Sequence, residues 1–266
     1  MRYYVVSDVH GFYTQLVEEL DKAGFFEDCE PHKLVVCGDL LDKGQEARKM
    51  IDFMVDLLEK DLLIFVKGNH DELFVQCLQK ILTSGVDAVC TSLSHHYRNG
   101  TWDTLLQISG VSESEAYNNP QALVEDAMHS PFYQTLLPHT VDYFETKRYI
   151  FVHGWIPCFA EGVKPDLQFS YNPDWREADR DGWWKASWYN GMDAACRFGV
   201  IEPGKTIVCG HKRASHGHAV YHGLGEESGE GAIWTPFYDN GIINVDASVK
   251  RSGKINCLVL EDEEME

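Results

Sequence analysis

Five short segments of the sequence combine carboxylate, imidazole and amide side chains with glycine. They are Asp8-Val9-His10-Gly11, Gly38-Asp39-Leu40-Leu41-Asp42, Gly68-Asn69-His70-Asp71, Val152-His153-Gly154 and Gly210-His211. A ligand set that mixes imidazole with carboxylate suits Mn, Fe, Zn or Ni better than Ca or Mg, which prefer oxygen shells. Two divalent ions about 3.5–4 Å apart, joined by a bridging carboxylate, activate water for in-line attack on phosphorus. The segments therefore predict a dinuclear metal site that hydrolyses phosphate compounds.

Each segment follows a short apolar run of the kind that forms a strand buried on both faces. The predicted strands, including two beyond these segments, cover residues 3–7, 33–37, 62–66, 148–152, 205–209, 242–245 and 255–260. Apolar residues at helical spacing lie between the first three runs, which predicts a layered α/β fold. Because ligands bind at the carboxyl ends of strands in open α/β sheets, we expect the polar segments to meet at one edge.

Each of these residues also has a simpler interpretation. Asp39 and Asp42 could be N-caps of the following helix, and Asn69 could be an ordinary turn residue. A single Asp-x-His or Gly-His pair is common in loops. The ordered combination, with each member at a strand end, favours metal binding.

Composition and charge restrict the partners. With 266 residues, 44% of them hydrophobic, the chain can bury a substantial core. Its 42 acidic and 23 basic residues give a net charge of −19, which opposes general affinity for nucleic acid or membrane surfaces. No apolar stretch is long enough for a membrane span, and the start lacks the features of a signal peptide. We therefore expect a cytoplasmic protein that binds neither nucleic acid nor membranes.

One domain is predicted for residues 1–260. The strand pattern stops between residues 83 and 146, which predicts a mainly helical insertion near one end of the sheet. Residues 156–200 are rich in Trp, Asn, Asp and Gly and are predicted to form a long irregular loop. The acidic residues 261–266 are predicted to be a solvated tail.

As a set, the five segments resemble the signature motifs of the calcineurin-like metallophosphoesterases. Asp8-Val9-His10-Gly11 and Asp42-Lys43-Gly44 are most similar to the phosphoprotein phosphatase branch. That branch includes bacterial and phage Ser/Thr phosphatases and symmetrical diadenosine tetraphosphatases. The resemblance implies an α/β sandwich of two mixed β-sheets flanked by helices, with the helical insertion.

The resemblance also implies a role for each matching residue. The first metal ion would be held by Asp8, His10 and Asp39. The second would share Asp39 as a bridge and add Asn69, His153 and His211. Manganese is the expected metal, with Fe, Zn or Ni as alternatives. His70 would be the general acid that protonates the leaving oxygen, and Asp42 would orient it, which agrees with the chemistry of an imidazole held by a carboxylate.

The chain departs from the family where phosphate-binding arginines are usual. Lys43 and Lys67 stand at two such positions, and Trp184-Lys185-Ala186 has no arginine in register. Lysine attracts phosphate as a point charge but lacks the bidentate fork of a guanidinium group. Lys43, Arg98 and Lys185 are the predicted substrate-binding residues, and the departures leave the substrate class open.

The leading functional prediction is metal-dependent hydrolysis of a phosphomonoester by a metal-bridging hydroxide. The family resemblance implies phosphoserine or phosphothreonine in protein as the substrate. One alternative is hydrolysis of a dinucleoside polyphosphate or another small phosphoanhydride. A second alternative is a catalytically silent binding module of the same fold, which loss of a ligand would favour, and no ligand is lost. The expected partner is a phosphorylated protein or a small phosphorylated metabolite.

Overall fold

The computed structural model describes residues 1–162 and 167–264, which form two mixed β-sheets with helices packed on their outer faces. The described strands are β1 (Arg2–Val6), β2 (His32–Cys37), β3 (Leu63–Val66), β4 (Phe144–Glu145), β5 (Tyr149–Phe151), β6 (Phe159–Glu161), β7 (Gln168–Ser170), β8 (Thr206–Cys209), β9 (Phe237–Asp239), β10 (Ile242–Asn244) and β11 (Leu258–Glu261). The α-helices are α1 (Tyr13–Ala23), α2 (Ala47–Glu59), α3 (Asn69–Ser84), α4 (Asp87–Cys90), α5 (His95–Asn99), α6 (Thr101–Ser109), α7 (Glu113–Asn118), α8 (Pro120–Met128), α9 (Arg180–Ala186), α10 (Ala214–Val220) and α11 (Val249–Ser252).

The first sheet has the strand order β11-β1-β2-β3. Strands β1, β2 and β3 are parallel, and β11 runs antiparallel to β1. The intervening helices cover one face of this sheet because their apolar residues recur at helical spacing, as Leu16 and Leu20 do in α1 and Met50 and Met54 do in α2. The carboxyl ends of the three parallel strands therefore point toward the same edge.

The second sheet has the strand order β4-β5-β8-β10-β9. Strands β5, β8 and β10 are parallel, with an antiparallel strand on each side of them. The two sheets face each other across an apolar layer that includes Tyr3, Val5, Phe151 and Val208. This arrangement confirms the predicted α/β sandwich of two mixed sheets.

The predicted strands have observed counterparts, and the largest difference is in the last one. Strand β11 begins at Leu258 rather than at residue 255. Ile255 is buried against the helical core, and the side-chain amide of Asn256 donates to the carbonyls of Trp234 and Val245. Ile255 and Asn256 are thus engaged elsewhere, and pairing with β1 begins at Leu258.

Residues 83–146 contain five α-helices, α4 to α8, and the stretch packs against α3 through large buried side chains. Phe132 meets Phe74 of α3 edge to face, with ring centroids 5.0 Å apart. The longest described helix, α3, has 16 residues, and none of the described helices is long and apolar enough to cross a membrane. The boundary of this insertion stays a prediction.

Residues 156–200 contain more regular structure than an irregular loop. Strands β6 and β7 form an antiparallel pair, and helix α9 follows them. The tryptophans explain part of this order, since Trp175 is fully buried and Trp183 is nearly so. Residues 163–166, which belong to the predicted loop, lie outside the described residues.

Among residues 261–264 of the predicted acidic tail, Glu261, Glu263 and Glu264 are exposed, whereas Asp262 is buried. Glu261 is the last residue of β11, and Asp262 is 9% exposed. Its Oδ2 accepts hydrogen bonds from the hydroxyl of Thr146 at 2.8 Å and from the backbone N–H of Arg148 at 2.7 Å. A buried carboxylate with donors on both sides is held in place rather than solvated. Residues 265 and 266 of the predicted tail lie outside the described residues.

Candidate metal centre

The six predicted metal ligands lie at the carboxyl ends of parallel strands, in the segments after β1, β2, β3, β5 and β8. Asp39 is at their centre. Its Oδ1 lies 3.3 Å from Nε2 of His153, and its Oδ2 lies 3.7 Å from Nε2 of His10. The two oxygens of one carboxylate therefore face two different imidazoles, as a bridging ligand requires.

Two groups of side chains could each hold an ion, and they share Asp39. In one group the ligand atoms of His10, Asp39 and His70 lie within 4.8 Å of one another, and in the other those of Asp39, His153 and His211 do. Asp8 adjoins the first group, with its Oδ1 3.7 Å from Nε2 of His10. Its other oxygen accepts hydrogen bonds from the hydroxyl of Ser7 and the backbone N–H of His211.

Backbone carbonyls orient two of the imidazoles. Nδ1 of His10 donates to the carbonyl of Leu41 at 2.8 Å, and Nδ1 of His153 donates to the carbonyl of Cys37 at 2.8 Å. A neutral imidazole with its proton on Nδ1 presents a lone pair at Nε2. Both Nε2 atoms face the shared carboxylate of Asp39 and are candidate metal-ligand atoms.

The second group of side chains has the donor chemistry of a cation site. Nε2 of His153 lies 2.7 Å from Oδ1 of Asn69 and 3.3 Å from Oδ1 of Asp39. Burial lowers the pKa of His153, but the charges of Asp39 and Asp8 outweigh burial and raise it. Nδ1 of His211 lies 2.9 Å from the same Asn69 oxygen. Nδ2 of Asn69 is buried and has no hydrogen-bond partner among the described residues. Imidazole nitrogens and an amide oxygen therefore lie together at one point, and a divalent ion bound there would replace the ring protons between them.

Charges within the centre shift several pKa values. Burial raises the pKa of Asp39, but the imidazoles of His153, His70 and His10 outweigh it and hold that pKa far below its usual range. Burial, with the charges of Lys43 and His70, keeps the pKa of His10 well below its ordinary value. Asp39 is therefore ionised and His10 neutral near pH 7, which are the states that bind a metal ion.

Asp42 holds His70 at the edge of the centre. Nδ1 of His70 donates to Oδ2 of Asp42 at 2.6 Å, while its Nε2 points toward Asp39, 3.8 Å from Oδ2. The same Asp42 oxygen accepts a hydrogen bond from the hydroxyl of Thr101 at 2.9 Å, and the Asp42 backbone N–H donates to Thr104. This chain of bonds fixes one ring nitrogen and leaves the other facing the site.

The sequence did not reveal that Thr101 and Thr104 would support this pair. They are three residues apart, so they share one face of α6 and reach Asp42 together. Thr101 is the first residue of α6 and directly follows Gly100. Thr101 is fully buried, and its hydroxyl group donates its hydrogen bond to Asp42.

Asp71 is a second residue whose role became clear only in three dimensions. Its carboxylate accepts backbone hydrogen bonds from Asp39 at 3.1 Å, Leu40 at 3.2 Å and Gly68 at 2.7 Å. Burial, together with the nearby charge of Asp39, raises the pKa of Asp71 to about 7. Its position directly after His70 was the available signal, and the side chain joins the loops after β2 and β3.

The backbone of the centre is unusual. Six of the eight described non-glycine residues with positive φ belong to the predicted site, with φ between 49° and 75°. They are Asp8, His10, Asp39, Asp42, Lys43 and His211. Two glycines near these residues are required by close packing rather than by their φ angles. A Cβ at Gly68 would overlap the backbone nitrogen of Asp39, and a Cβ at Gly210 would overlap Ser7. The loops therefore approach more closely than other residues allow.

The three predicted substrate-binding residues are in different surroundings. Lys43 is half-buried, and its Nζ donates to Nε2 of His10 at 2.7 Å, so it points into the centre. Arg98 is exposed on α5. Lys185 is exposed on α9, where its ammonium pairs with Asp181 at 2.5 Å. The structure thus brings only Lys43 against the metal-ligand candidates.

Two further cations line a small hollow beside His153. Lys67 pairs there with Asp142 at 3.5 Å, and Arg180 pairs with Glu72 at 2.5 Å. Arg180 was not predicted to bind substrate, because the phosphate-binding arginine of the family was expected after a tryptophan. Arg180 instead precedes Trp183 and Trp184. The side chain of Arg180 is 80% exposed despite the ion pair.

The fold is that of the metallophosphoesterases, and the groups of candidate metal ligands lie where such a fold brings its strand ends together. The sequence model of the calcineurin-like phosphoesterases matches residues 1–213. The chain belongs to that family. Members of the family typically bind two divalent metal ions, and the His/Asp groups around Asp39 are the candidate ligands here.

The chain is also similar to curated relatives over a short region. It is 35% identical over 72 residues to an asymmetrical bis(5'-nucleosyl)-tetraphosphatase of Geobacillus thermodenitrificans, covering 25% of this chain and 29% of the relative. With the enzyme of that name from Bacillus subtilis it is 33% identical over 76 residues, 26% of this chain and 31% of the relative. The matched region thus spans less than a third of these relatives.

Solved structures share the fold over almost the whole chain. A putative diadenosine tetraphosphatase superposes with a TM-score of 0.52 at 16% identity, covering 97% of this chain and 89% of that one. A cold-active protein tyrosine phosphatase superposes with a TM-score of 0.52 at 18% identity, covering 98% of this chain and 73% of that one. At such low identity, these likenesses establish the fold alone.

Proposed function

We propose that the chain is a dinuclear-metal-dependent hydrolase of phosphomonoesters, of the Ser/Thr phosphoprotein phosphatase type. The observation that carries this proposal is the His70–Asp42 pair at the edge of the metal-ligand groups. An alkoxide is a poor leaving group and needs a proton, and an imidazole held by a carboxylate can donate one near neutral pH. The partners under this proposal are phosphorylated proteins or small phosphorylated metabolites, and the expected location is the cytoplasm.

Each metal position would take a definite set of side chains. Asp8, His10 and Asp39 would hold one ion, and Asp39, Asn69, His153 and His211 would hold the other. When bound, two divalent ions supply Lewis acidity and lower the pKa of water. Mn fits the mixture of imidazole, amide and carboxylate ligands, as do Fe, Zn and Ni.

The remaining groups act on the substrate. Nδ1 of His70 is committed to Asp42, so the proton for the leaving oxygen sits on Nε2, the nitrogen that faces the centre. The carboxylate of Asp42 stabilises the imidazolium form before transfer and keeps the ring oriented. The ammonium group of Lys43 supplies positive charge for a phosphate oxygen.

The test is a substrate panel assayed with Mn²⁺ before and after chelation. A phosphoserine peptide and a simple alkyl phosphate should be hydrolysed, activity should disappear on chelation, and added Mn²⁺ should restore it. Asp39→Asn should weaken both metal positions, whereas Asp8→Asn should mainly affect one, as metal analysis can show. Full activity after exhaustive chelation would refute the proposal, and inactivity toward every compound would favour a silent binding module.

A second candidate function is hydrolysis of dinucleoside polyphosphates. The names of the curated relatives favour it, and so does a hollow of about 380 Å³ beside His211. Phe169, Trp188 and Tyr189 line this hollow, and rings of this kind can stack on a nucleobase. Trp188 also packs edge to face on His211, with ring centroids 5.8 Å apart.

Comparing kcat/KM for diadenosine tetraphosphate and a phosphopeptide separates the two candidates. If the dinucleotide is the substrate, Trp188→Leu should lower its kcat/KM by about 10-fold or more through lost stacking. The phosphopeptide should be affected less. A higher kcat/KM for the phosphopeptide, with no effect of Trp188→Leu on the dinucleotide, would exclude this second candidate.

A further inference from the structure

A groove with positively charged walls leads away from the metal-ligand groups. Its volume is about 520 Å³, and at one end it is lined by Asp8, His10 and His211. Its cationic side chains are Lys43, Lys212, Arg213, Lys250 and Arg251. This concentration is notable in a chain with 23 basic residues and a net charge of −19.

Neighbouring strands bring these cations together. Lys212 and Arg213 follow β8, while Lys250 and Arg251 are on α11, shortly after β10. Strands β8 and β10 are parallel neighbours, so the segments after them run side by side. A backbone hydrogen bond from Ala214 to the carbonyl of Asp246 joins the two segments at 2.8 Å.

The nearby acidic groups do not cancel this charge. Among the described residues that line the groove, the carboxylates are Asp8 and the buried Asp246. Glu227, outside the lining, pairs with Arg213 at 2.5 Å and with Lys212 at 3.4 Å. One carboxylate thus faces two cations there, and Lys250 and Arg251 are exposed to solvent.

We infer that this groove binds a second anionic group of the substrate, namely the further phosphates of a small-molecule phosphate chain whose reacting phosphorus lies at the metal centre. The inference rests on the second candidate function above, hydrolysis of a phosphoanhydride, rather than on the phosphoprotein phosphatase type. It adds a subsite made of Lys212, Arg213, Lys250 and Arg251. Lysine and arginine are the side chains that bind phosphate oxygens, and the groove opens directly from the metal-ligand candidates.

The dimensions favour a small molecule over a polypeptide. Pockets for small ligands have volumes of about 300–1,000 Å³, and the groove falls within that range. Its cations come from two short segments at one end of the second sheet, so the charge is compact rather than spread along an extended path. A phosphate chain also carries its charge compactly.

The experiment compares binding of two non-hydrolysable probes to Mn²⁺-loaded protein by calorimetry at a fixed free Mn²⁺ concentration. Bis(methylene)triphosphonate mimics a phosphate chain, and methylphosphonate mimics the reacting group alone. For Lys250→Ala/Arg251→Ala, we expect the preference for the triphosphonate over methylphosphonate to fall by about 10-fold or more, because two charge-assisted contacts are lost. The wild-type preference should also shrink as salt is added.

Lys254→Ala is the matched control, since it removes an exposed positive charge close in sequence and outside the groove lining. It should leave the preference unchanged. Melting temperature and bound metal, measured on each variant, report folding. Because the readout is binding, it remains valid even if the protein hydrolyses none of the phosphoesters.

Two results would overturn the subsite. One is that the folded, metal-loaded double variant prefers the triphosphonate over methylphosphonate as strongly as the wild type does. The other is loss of affinity for an acidic peptide without phosphate while the triphosphonate still binds normally, which would assign the groove to polypeptide.

Discussion

The imidazole of His70 lies between two kinds of carboxylate, one that orients it and one that faces the metal positions. Its 2.6 Å bond to Asp42 fixes the ring, so that the proton to be transferred is on the nitrogen near Asp39. Lys43 adds a positive charge at the same edge, 2.7 Å from His10. Proton donation and attraction of phosphate are thus assigned to separate side chains, which can be tested separately.

Replacement of His70 by Asn should lower kcat by about 10²–10⁴-fold, because the leaving oxygen loses its proton donor. The loss should be smaller for p-nitrophenyl phosphate, whose leaving group needs little protonation, than for an alkyl phosphate. Bound metal should stay near the wild-type level, and His129→Asn, a change at an exposed histidine directly after α8, should have no effect. Equal losses on both substrates would make His70 a ligand or a positioning residue.

Replacement of Lys43 by Ala should lower kcat/KM for a phosphomonoester by about 10- to 150-fold, which corresponds to a charge-assisted contact of about 1.5–3 kcal/mol. Steady-state kinetics with metal analysis measures this. Lys43→Arg should be tolerated if the side chain binds phosphate. If Lys43→Ala changes kcat/KM less than about twofold, the phosphate contact lies elsewhere, and Arg98 and Lys185 are the next to replace.

At the scale of elements, the sequence predicts where the parallel strands end. It does not predict which side chains hydrogen-bond to the loops that follow those strands. Apolar runs that stop at Asp, Asn or His revealed which residues meet at the sheet edge, because strand direction decides where the ends point. The contact between Thr101 and Asp42 joins residues 59 positions apart. Nothing in the periodicity of α6 indicates which of its faces packs on that loop. The carboxylate of Asp71 was likewise hidden, because its three partners are backbone groups.

Replacement of Thr101 by Val removes one donor from Asp42 while nearly conserving volume. Residues that orient a reacting side chain typically contribute about 10–100-fold to activity, and we expect kcat to fall within that range. The loss should depend on the leaving group in the same way as that of His70→Asn. Thr83→Val, at the exposed end of α3, is the matched control. A loss that is equal for good and poor leaving groups would contradict a role through His70.

At the scale of the whole molecule, the two sheets are joined at their edges as well as through the apolar layer. Asp262 follows β11 of the first sheet and binds Thr146 and Arg148, which lie between β4 and β5 of the second. The acidic composition of the C-terminal residues predicted solvation and gave no sign of this link. Composition reports average behaviour, whereas one buried carboxylate depends on the donors that it meets.

Replacement of Asp262 by Ala should lower the free energy of unfolding by about 1–3 kcal/mol, because buried donors lose their acceptor. Burial raises the pKa of Asp262, but hydrogen bonds from Arg148 and Thr146 outweigh burial and lower it. The contribution should therefore be present above the ordinary pKa of aspartate and disappear as the pH falls through the lowered value. Urea denaturation at several pH values measures this.

The control for Asp262 is Glu230→Gln, an exposed acidic residue in a loop, which should change stability by less than about 0.5 kcal/mol. Equal, small effects of both substitutions across the pH range would mean that Asp262 does not join the sheets.

The positive φ angles of the metal centre have a consequence for how this protein can change. Each such residue costs the folded chain about 1–3 kcal/mol, and six of them lie in the candidate site. Glycine at these positions would relieve the strain but remove the ligand or the charge. Selection for thermal stability alone would therefore favour variants that lack activity. Directed evolution under that selection should first produce substitutions that abolish hydrolysis. Thermostable descendants that keep activity should carry their stabilising changes far from these loops.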